Sequence, residues 1–261
     1  MRLAAFTDAD GMTHAGLVTG AAVVAFGPGV TVLDVLLDPA GHRANGASFA
    51  LDAVTLLAPY RPRLVVGVGL NYRRHAAEGG SEVPHMPLLF LKGPGSVTAP
   101  GGPVLRPEGV CQLDYEGELA FVIGADGGVG GWAVADDVSA RDFRETTLVR
   151  QKAGDTFCPW GPWVTTADEV TDPYGLRLRT WVNDELRQDA MTSELIFRAD
   201  EILATLHQTI RTQPGDLILT GTPSGVGLLM DPPGLLEPGD RVRIEIDGLG
   251  AIEHMIVSAA A

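Results

Sequence analysis

Cysteine is scarce in this sequence, which contains only Cys111 and Cys158 in 261 residues. The two form no C-x-x-C pair, which argues against a disulfide scaffold and against a zinc site built from thiolates. No run approaches the roughly 18 consecutive apolar residues of a membrane-spanning helix. The first residues carry charge where a secretory signal needs its apolar stretch. We therefore expect a cytoplasmic protein that does not enter a membrane.

Positive charge is scarce as well. Lysine and arginine together number 19 against 33 aspartates and glutamates, which gives a net charge of −14. A protein that binds nucleic acid normally presents a basic stripe to the phosphates, and the sequence shows none. We expect no nucleic-acid partner. A small substrate that is chelated through a metal ion remains compatible with this charge.

The sequence has enough apolar residues, 45%, to bury one large core, or one core with a small appended lobe. Residues 1–60 contain short strand-like runs separated by turns, which is typical of a small β-rich lobe. Pro59 and Pro62 then interrupt the chain before a strongly apolar strand at 64–69. We therefore place a boundary between a lobe at 1–60 and a catalytic domain at 61–261.

Short strands dominate the predicted secondary structure. They cover residues 2–6, 13–18, 21–26, 64–69, 88–91, 116–123, 178–182, 217–220, 242–246 and 252–257. One helix is predicted over 196–211, where apolar residues recur at spacings of three and four. Many strands, few helices and eighteen prolines favour a β-rich α+β fold over a doubly wound sheet.

Two glutamates, Glu116 and Glu118, lie one residue apart at the start of an apolar strand. Side chains alternate between the faces of a strand, so both carboxylates point the same way. Ala120 and Val122 continue that face as apolar residues, which favours a partly buried face over a solvated one. Like charges held this close repel each other, and a hard divalent cation with oxygen ligands relieves the repulsion.

A third carboxylate lies downstream, in the pair Asp136 and Asp137. Three carboxylates are a suitable ligand set for Mg²⁺ or Mn²⁺. The alternative is an exposed antiparallel strand, on which an E-x-E pair is common. The carboxylates also fit two other hypotheses: a structural calcium site in a binding protein, and an Mg²⁺ site in a phosphoryl-transfer enzyme.

His75 and Glu78 are three residues apart, so on a short helix their side chains share a face. A carboxylate beside an imidazole fixes its tautomer and raises its basicity, which suits a general base that takes a proton from water. The alternative is a partly exposed helix salt bridge. The preceding segment 67–72 is only superficially similar to a dinucleotide fingerprint, because Tyr72 occupies the place of the third glycine.

Lys152 stands just before an aromatic, proline-rich segment at 157–163. A lysine there can stabilise an enolate or bind a substrate carboxylate, or it can be a solvated loop charge. Segment 219–227 has small residues and hydroxyls directly after a strand, which suits close backbone approach to an anionic ligand. It lacks the Gly-Lys-Ser/Thr of a phosphate loop, which argues against a phosphoryl-transfer enzyme.

Taken in order, these segments closely resemble the fumarylacetoacetate hydrolase family, in its branch of acylpyruvate hydrolases, oxaloacetate decarboxylases and hydroxyheptadienedioate isomerases. The matching segments are 67–78, 90–92, 114–124, 136–142, 152–163, 182–188 and 214–227. The resemblance implies a mixed β-roll core with the active site at one open end, assembled as a homodimer. It also implies that Glu116, Glu118 and Asp137 carry Mg²⁺ or Mn²⁺.

The same resemblance implies roles for four other residues. His75 and Glu78 orient the attacking water, and Lys152 and Thr222 contact the substrate. One departure bears on the metal site: Asp136 stands where the family often has asparagine, which leaves open which of the two aspartates is the ligand. Another is the segment 152–155, which lacks an aromatic residue common in the family and implies a different substrate size.

The sequence therefore predicts a metal-dependent hydrolase that cleaves a carbon–carbon bond of a 2,4-dioxo acid, such as an acylpyruvate or fumarylpyruvate. Water activated by His75 and Glu78 attacks the remote carbonyl, and an enolate leaves. The nearest alternative is a metal-dependent 2-oxo acid decarboxylase, or a hydroxyheptadienedioate isomerase of aromatic catabolism. Both need the same enolate stabilisation without an attacking water, so the His75–Glu78 pair favours hydrolysis.

Overall fold

The computed structural model describes residues 1–259. It contains four short α-helices: α1 (Val32–Leu37), α2 (Arg73–Glu78), α3 (Leu148–Lys152) and α4 (Ala199–Leu206). The strands of the first half are β1 (Arg2–Thr7), β2 (Thr13–Thr19), β3 (Ala22–Ala25), β4 (Ser48–Ala50), β5 (Thr55–Leu57), β6 (Val65–Gly69), β7 (Leu88–Lys92), β8 (Val97–Thr98), β9 (Val104–Arg106), β10 (Leu113–Asp114), β11 (Gly117–Ile123) and β12 (Val129–Asp136).

The second half adds β13 (Ser139–Ala140), β14 (Cys158–Thr166), β15 (Arg177–Val182), β16 (Glu185–Met191), β17 (Leu217–Leu219), β18 (Arg241–Ile246) and β19 (Gly250–Ser258). The expected β-rich α+β class is confirmed. Across residues 1–259, every helix is too short or too polar to span a bilayer.

Twelve strands form the main sheet, in the order β4-β3-β2-β1-β14-β12-β11-β17-β6-β7, with β5 beside β1 and β8 beside β14. A second sheet has five strands in the order β16-β15-β18-β19-β9. The strands of residues 1–60 join the main sheet directly, since Arg2 pairs with Thr165 and Leu3 with Val164. This pairing joins the two segments in one sheet, and the division of the chain at residue 60 stays a prediction from the sequence.

Strand β11 is buried along its whole length, because the main sheet is covered on both faces there. Leu119, Phe121 and Ile123 point into the core shared with the five-stranded sheet. Ala120 and Val122 point into the opposite core, which helix α1 helps to cover. This alternation fixes the register of β11 and thereby the direction of the glutamates at its start.

The predicted helix over 196–211 was wrong at both ends, since α4 covers only Ala199–Leu206. Its start is delayed because the backbone before it is used elsewhere. The Phe197 carbonyl, which a helix from 196 would offer to the N–H of Glu201, instead accepts from Asn71 Nδ2 at 3.0 Å, and the Phe197 N–H donates to Asn71 Oδ1 at 2.7 Å. Residues after Leu206 form turns instead of continuing the helix. Asn71 thus anchors the chain beside the segment that leads into α2.

Candidate active site

Three carboxylates converge where strand β11 begins and strand β12 ends. The strands are antiparallel, with Gly117 opposite Asp136, so Glu116, Glu118 and Asp137 lie side by side. One carboxylate oxygen from each lies within 4.8 Å of the others, and all three residues are buried. The expectation of a partly buried glutamate face is confirmed.

Glu116 itself lies outside the strand that was predicted to include it, because β11 begins at Gly117. Its backbone is held from the neighbouring strand instead. The Glu116 N–H donates to Asp136 Oδ1 at 2.8 Å, and its carbonyl accepts from the Asp137 N–H at 2.9 Å. The other oxygen of Asp136 turns towards His254, at 3.0 Å from Nε2. Of the two neighbouring aspartates, Asp137 is therefore the one whose carboxylate joins the glutamates.

A glycine separates the two glutamates for a steric reason. A Cβ at Gly117 would lie 2.3 Å from Thr180 Oγ1 and 3.1 Å from Gln188 Oε1. Gln188 also accepts the Gly117 N–H at 3.0 Å. The five-stranded sheet therefore packs directly against the backbone between Glu116 and Glu118, and it fixes the spacing of their side chains.

Two cationic side chains lie directly on Glu116. The Lys152 ammonium is 2.6 Å from Glu116 Oε2 and 2.7 Å from Asp137 Oδ2, so it bridges two of the three carboxylates. The Arg141 guanidinium is 2.6 Å from Glu116 Oε1. On its other side it binds Asp114, with Nε 2.9 Å from Oδ2. Buried charges persist only when paired in this way.

A second lysine completes the charge pattern. Lys92 forms a buried ion pair with Asp137 Oδ1, and its ammonium also lies 3.4 Å from the Val138 carbonyl. Its side chain is fully buried, whereas that of Lys152 retains 6% exposure. Lys92 therefore neutralises Asp137 from the protein interior, and Lys152 is the lysine on the accessible side.

Burial and charge move the pKa values of the two glutamates in opposite directions. Burial alone would raise the pKa of Glu116, but Lys152, Arg141 and then His75 outweigh it and hold that pKa below its usual range. Burial raises the pKa of Glu118 well above its usual range, and the charges of Asp137 and Glu116 raise it further. Neighbouring carboxylates with opposed shifts are typical of functional sites.

His75 and Glu78 lie on one face of helix α2, as predicted. His75 Nδ1 is 3.1 Å from Glu78 Oε2, and the two side chains are 15% and 24% exposed. The second oxygen of Glu78 accepts the Gly225 N–H at 3.0 Å, so the carboxylate is held from two sides. With Nδ1 directed at Glu78, Nε2 is the ring nitrogen left to exchange a proton.

The segment 219–227 lies against the same carboxylates. The Gly221 N–H donates to Glu118 Oε2 at 2.6 Å. Gly221 has a φ of +97°, and a Cβ there would lie 2.7 Å from Asn71 Cβ, so glycine is required on both counts. The Thr222 hydroxyl donates to the Gly117 carbonyl at 3.0 Å and accepts from Gln188 Nε2 at 2.8 Å. Thr222 thus sits directly behind the Glu116–Glu118 segment.

Four residues at the site had not been proposed from the sequence: Lys92, Arg141, Asp114 and His254. One signal for Lys92 was available, because the chain contains only two lysines and both lie on Asp137. Arg141 stood within a matching segment but had no assigned role. Nothing in the local sequence indicates that His254, on a distant strand, lies beside Asp136.

The donor set fits a hard divalent cation. Carboxylate oxygens are the ligands of Mg²⁺, Mn²⁺ and Ca²⁺, at distances of about 2.0–2.6 Å. Three buried carboxylate oxygens within 4.8 Å of one another can reach one such ion with small side-chain movements. A soft metal is not favoured, since the described residues bring no thiolate or imidazole into this triad.

Residues 64–257 match the family model of the fumarylacetoacetate hydrolase C-terminal domain. A mitochondrial oxaloacetate tautomerase, fahd2 of Xenopus laevis, is 40% identical over 219 residues, which cover 78% of this chain and 69% of the relative.

Two solved structures have closely similar folds. One is a 2-hydroxyhepta-2,4-diene-1,7-dioate isomerase from Mycobacterium marinum, with 33% identity, a TM-score of 0.82 and full coverage of both chains. The other is a maleylpyruvate hydrolase from Sphingobium, in complex with manganese(II) and pyruvate, with 30% identity, a TM-score of 0.79 and full coverage of both chains. These similarities agree with the resemblance noted in the sequence.

Proposed function

The chain belongs to the fumarylacetoacetate hydrolase family, and we propose that it is a divalent-metal-dependent hydrolase that cleaves a carbon–carbon bond of a 2,4-dioxo acid. The substrate class is an acylpyruvate or a fumarylpyruvate. The observation that supports the proposal is the His75–Glu78 pair: Glu78 accepts the Gly225 N–H from the same segment 219–227 whose Gly221 N–H donates to Glu118 of the triad.

Mg²⁺ or Mn²⁺ is the proposed cofactor, held by Glu116, Glu118 and Asp137. When bound, such an ion supplies positive charge that stabilises an enolate. The manganese in the Sphingobium maleylpyruvate hydrolase supports a divalent metal in a related fold. Calorimetric titration of the protein with each metal in turn tests which of the two it binds more tightly.

Lys152 and Arg141 are the side chains proposed to receive the anionic end of the substrate. Both are buried cations that bind Glu116, and with that carboxylate holding a divalent ion their positive charges would be available to the carboxylate of a 2-oxo acid. Arg141 offers the planar guanidinium that matches a carboxylate, and Lys152 adds a point charge. Thr222 is also proposed to contact the substrate, which requires its hydroxyl to exchange the Gly117 carbonyl for the substrate.

His75 is proposed as the general base. Its Nε2 takes a proton from water while Glu78 holds Nδ1. The water oxygen then bonds to the remote carbonyl carbon, and the bond between that carbon and its neighbour on the pyruvate side breaks. The electron pair of the broken bond becomes the enolate of the oxo-acid product, which takes up the proton that His75 removed from water. The products are a carboxylic acid and a smaller 2-oxo acid.

The direct test is a substrate panel on the Mn²⁺- and Mg²⁺-loaded protein. Acylpyruvates, fumarylpyruvate, oxaloacetate and hydroxyheptadienedioate are supplied, and loss of enol absorbance is followed together with identification of the products. The proposal expects a carboxylic acid and pyruvate from an acylpyruvate. Keto–enol conversion or decarboxylation alone, without an acid product from any dioxo acid, contradicts it.

A second candidate is keto–enol isomerisation of a 2-oxo acid, which is favoured by the named relative from Xenopus laevis. That reaction uses the same enolate but moves only protons, so His75 would act as acid and base without a water nucleophile. Oxygen-18 water distinguishes the two reactions. Hydrolysis places the label in the carboxylic acid product, whereas isomerisation yields no such product.

A homodimer is also part of the proposal. Strand β7 is an edge strand of the main sheet, and Leu88 and Leu91 on it are 55% and 45% exposed. Val149 on the contacting helix α3 is 65% exposed, so the edge is flanked by apolar surface of the kind that a partner covers. Light scattering is expected to give the mass of two chains, and a Leu88→Glu/Leu91→Glu variant that of one.

A further inference from the structure

His254 is an unusual residue for its position. It lies on the buried face of strand β19 between Ile252 and Ile256, where an apolar side chain would be expected. It is the only buried histidine among the six of the chain, all of which the structure describes. Burying an imidazole in an apolar core is unfavourable unless it has a polar partner. The carboxylate of Asp136 lies 3.0 Å from it, Nε2 to Oδ2, at ion-pair distance but without the alignment of a hydrogen bond.

Asp136 is equally unusual. Its side chain is completely buried, and it lies next to the carboxylate of Asp137 in the sequence. A further carboxylate beside three others adds repulsion, so its presence calls for a specific contact. That contact is the Glu116 N–H, which donates to Oδ1 at 2.8 Å.

Glu116 needs this contact because it has no strand partner. It lies between β10 and β11, where the sheet ladder is interrupted. The Asp136–Asp137 pair replaces the ladder on both sides: the Asp136 side chain accepts the Glu116 N–H, and the Asp137 N–H donates to the Glu116 carbonyl. Asp137 thus supplies a carboxylate to the triad, and the Asp136 side chain fixes the backbone of Glu116.

We propose that Asp136 and His254 are a pair of positioning residues, in which His254 holds the Asp136 carboxylate against the Glu116 N–H and so sets the position of the Glu116 carboxylate for a divalent metal. The inference rests on the proposed function only in that Glu116 is taken as a metal ligand. It connects the five-stranded sheet, through β19, to the triad at the end of β12. Partners that orient metal ligands typically change metal affinity about 10- to 100-fold when removed.

Two substitutions at Asp136 distinguish the role of its hydrogen-bond acceptor from the role of its negative charge. Asp136→Asn keeps an oxygen that accepts the Glu116 N–H, and its amide nitrogen can donate to His254 Nε2. We expect this variant to bind Mn²⁺ within about threefold of the wild type. Asp136→Ala removes the acceptor, and we expect Mn²⁺ affinity, measured by calorimetry, to fall at least tenfold.

A second measurement needs no metal. In EDTA, hydrogen exchange at the Glu116 amide is expected to be faster in Asp136→Ala and unchanged in Asp136→Asn. His254→Leu suits the apolar stripe on β19 and is expected to accelerate the same exchange and to weaken Mn²⁺ binding. This variant decides the matter if Asp136→Ala does not fold.

A matched control removes another buried carboxylate. Asp216 is fully buried and pairs with Arg63, but it lies at the opposite end of β11, beside Ile123. Asp216→Ala is expected to lower stability and to leave Mn²⁺ affinity and Glu116 exchange unchanged.

Unchanged affinity and exchange in both Asp136→Ala and His254→Leu overturn the inference, and so does Asp136→Asn behaving like Asp136→Ala. Failure of the proposed metal site gives a different result. In that case the wild type itself does not bind Mn²⁺, or Glu118→Gln binds it as tightly as the wild type does.

Discussion

His75 Nδ1 lies 3.1 Å from Glu78 Oε2, and the other oxygen of Glu78 is fixed by the Gly225 N–H. The imidazole is therefore held by a carboxylate that is itself held by the backbone of the 219–227 segment. This arrangement orients a base and sets its tautomer, which a freely rotating surface salt bridge does not.

His75→Ala is expected to lower kcat for dioxo-acid hydrolysis by about 10²- to 10⁴-fold, the usual contribution of a positioned general base. Mn²⁺ affinity should change little, because His75 is not one of the three carboxylates. Steady-state kinetics and calorimetry on the same preparation measure both quantities. His207→Ala is the control, since His207 is exposed and its imidazole bonds to Thr212. A fully active His75→Ala enzyme would remove the base and favour the isomerase candidate.

Lys152→Met is expected to destabilise the metal-free protein, because it leaves Glu116 and Asp137 buried without the ammonium that bridges them. Breaking a buried ion pair costs about 3–5 kcal/mol. A divalent ion brings its own positive charge to the same carboxylates, so Mn²⁺ should raise the melting temperature more in this variant than in the wild type.

Thermal unfolding with and without Mn²⁺ provides the test of the Lys152 prediction. Arg177→Met serves as control, since Arg177 pairs with Asp189 on the surface and has no contact with the triad. In Arg177→Met, Mn²⁺ should raise the melting temperature by the same amount as in the wild type. If Mn²⁺ raises the melting temperature less in Lys152→Met than in the wild type, the prediction is contradicted. The lysine would then favour binding of the ion instead of supplying the charge that the ion replaces.

The raised pKa of Glu118 makes a prediction about pH. Because the folded protein holds this proton more tightly than the unfolded chain does, the contribution of Glu118 to stability is fully present below its unfolded pKa of 4.5 and is lost as pH rises through the raised folded pKa. In EDTA, the wild type should therefore lose stability relative to Glu118→Gln as pH rises above about 4.5.

Denaturant unfolding of the wild type and Glu118→Gln at a series of pH values measures this difference. The exposed Glu145→Gln variant gives the effect of losing a surface charge. The account is contradicted if the stability difference between wild type and Glu118→Gln is constant with pH, or if the wild type gains on the variant as pH rises.

Gly117→Ala tests the packing of the five-stranded sheet against the glutamates. The added Cβ would lie 2.3 Å from Thr180 Oγ1, so we expect a loss of about 1–3 kcal/mol in unfolding free energy and weaker Mn²⁺ binding. Gly128→Ala is the matched control, because a Cβ there meets only the Asp126 side chain, at 3.4 Å. If Gly117→Ala binds Mn²⁺ as tightly as the wild type, the packing at Gly117 does not control the spacing of the Glu116 and Glu118 carboxylates.

Some of the site could be predicted from the sequence because its signals are local. The alternation of β11 places Glu116 and Glu118 on one face, and helical spacing brings His75 to Glu78. Asp137 follows β12, the strand that pairs with β11. The family resemblance had already assigned it to the metal site. In each case the residues that interact are close in sequence or lie on neighbouring elements.

The other contacts depend on tertiary structure and have no local pattern. Lys92 reaches Asp137 across 45 residues, and His254 reaches Asp136 from a different sheet. The helix predicted at 196–211 was too long for the same reason, since the distant Asn71 side chain binds both the N–H and the carbonyl of Phe197. Periodicity indicates which face is buried, but it does not show which polar side chain arrives from elsewhere.

Crystals grown with Mn²⁺, with diffraction recorded at a wavelength that gives manganese anomalous signal, test the central claim most directly. We expect one anomalous peak in contact with carboxylate oxygens of Glu116, Glu118 and Asp137 at about 2.1–2.3 Å, with Lys152 displaced from Glu116. No peak at these residues, with Lys152 still bridging Glu116 and Asp137 in saturating Mn²⁺, would contradict it.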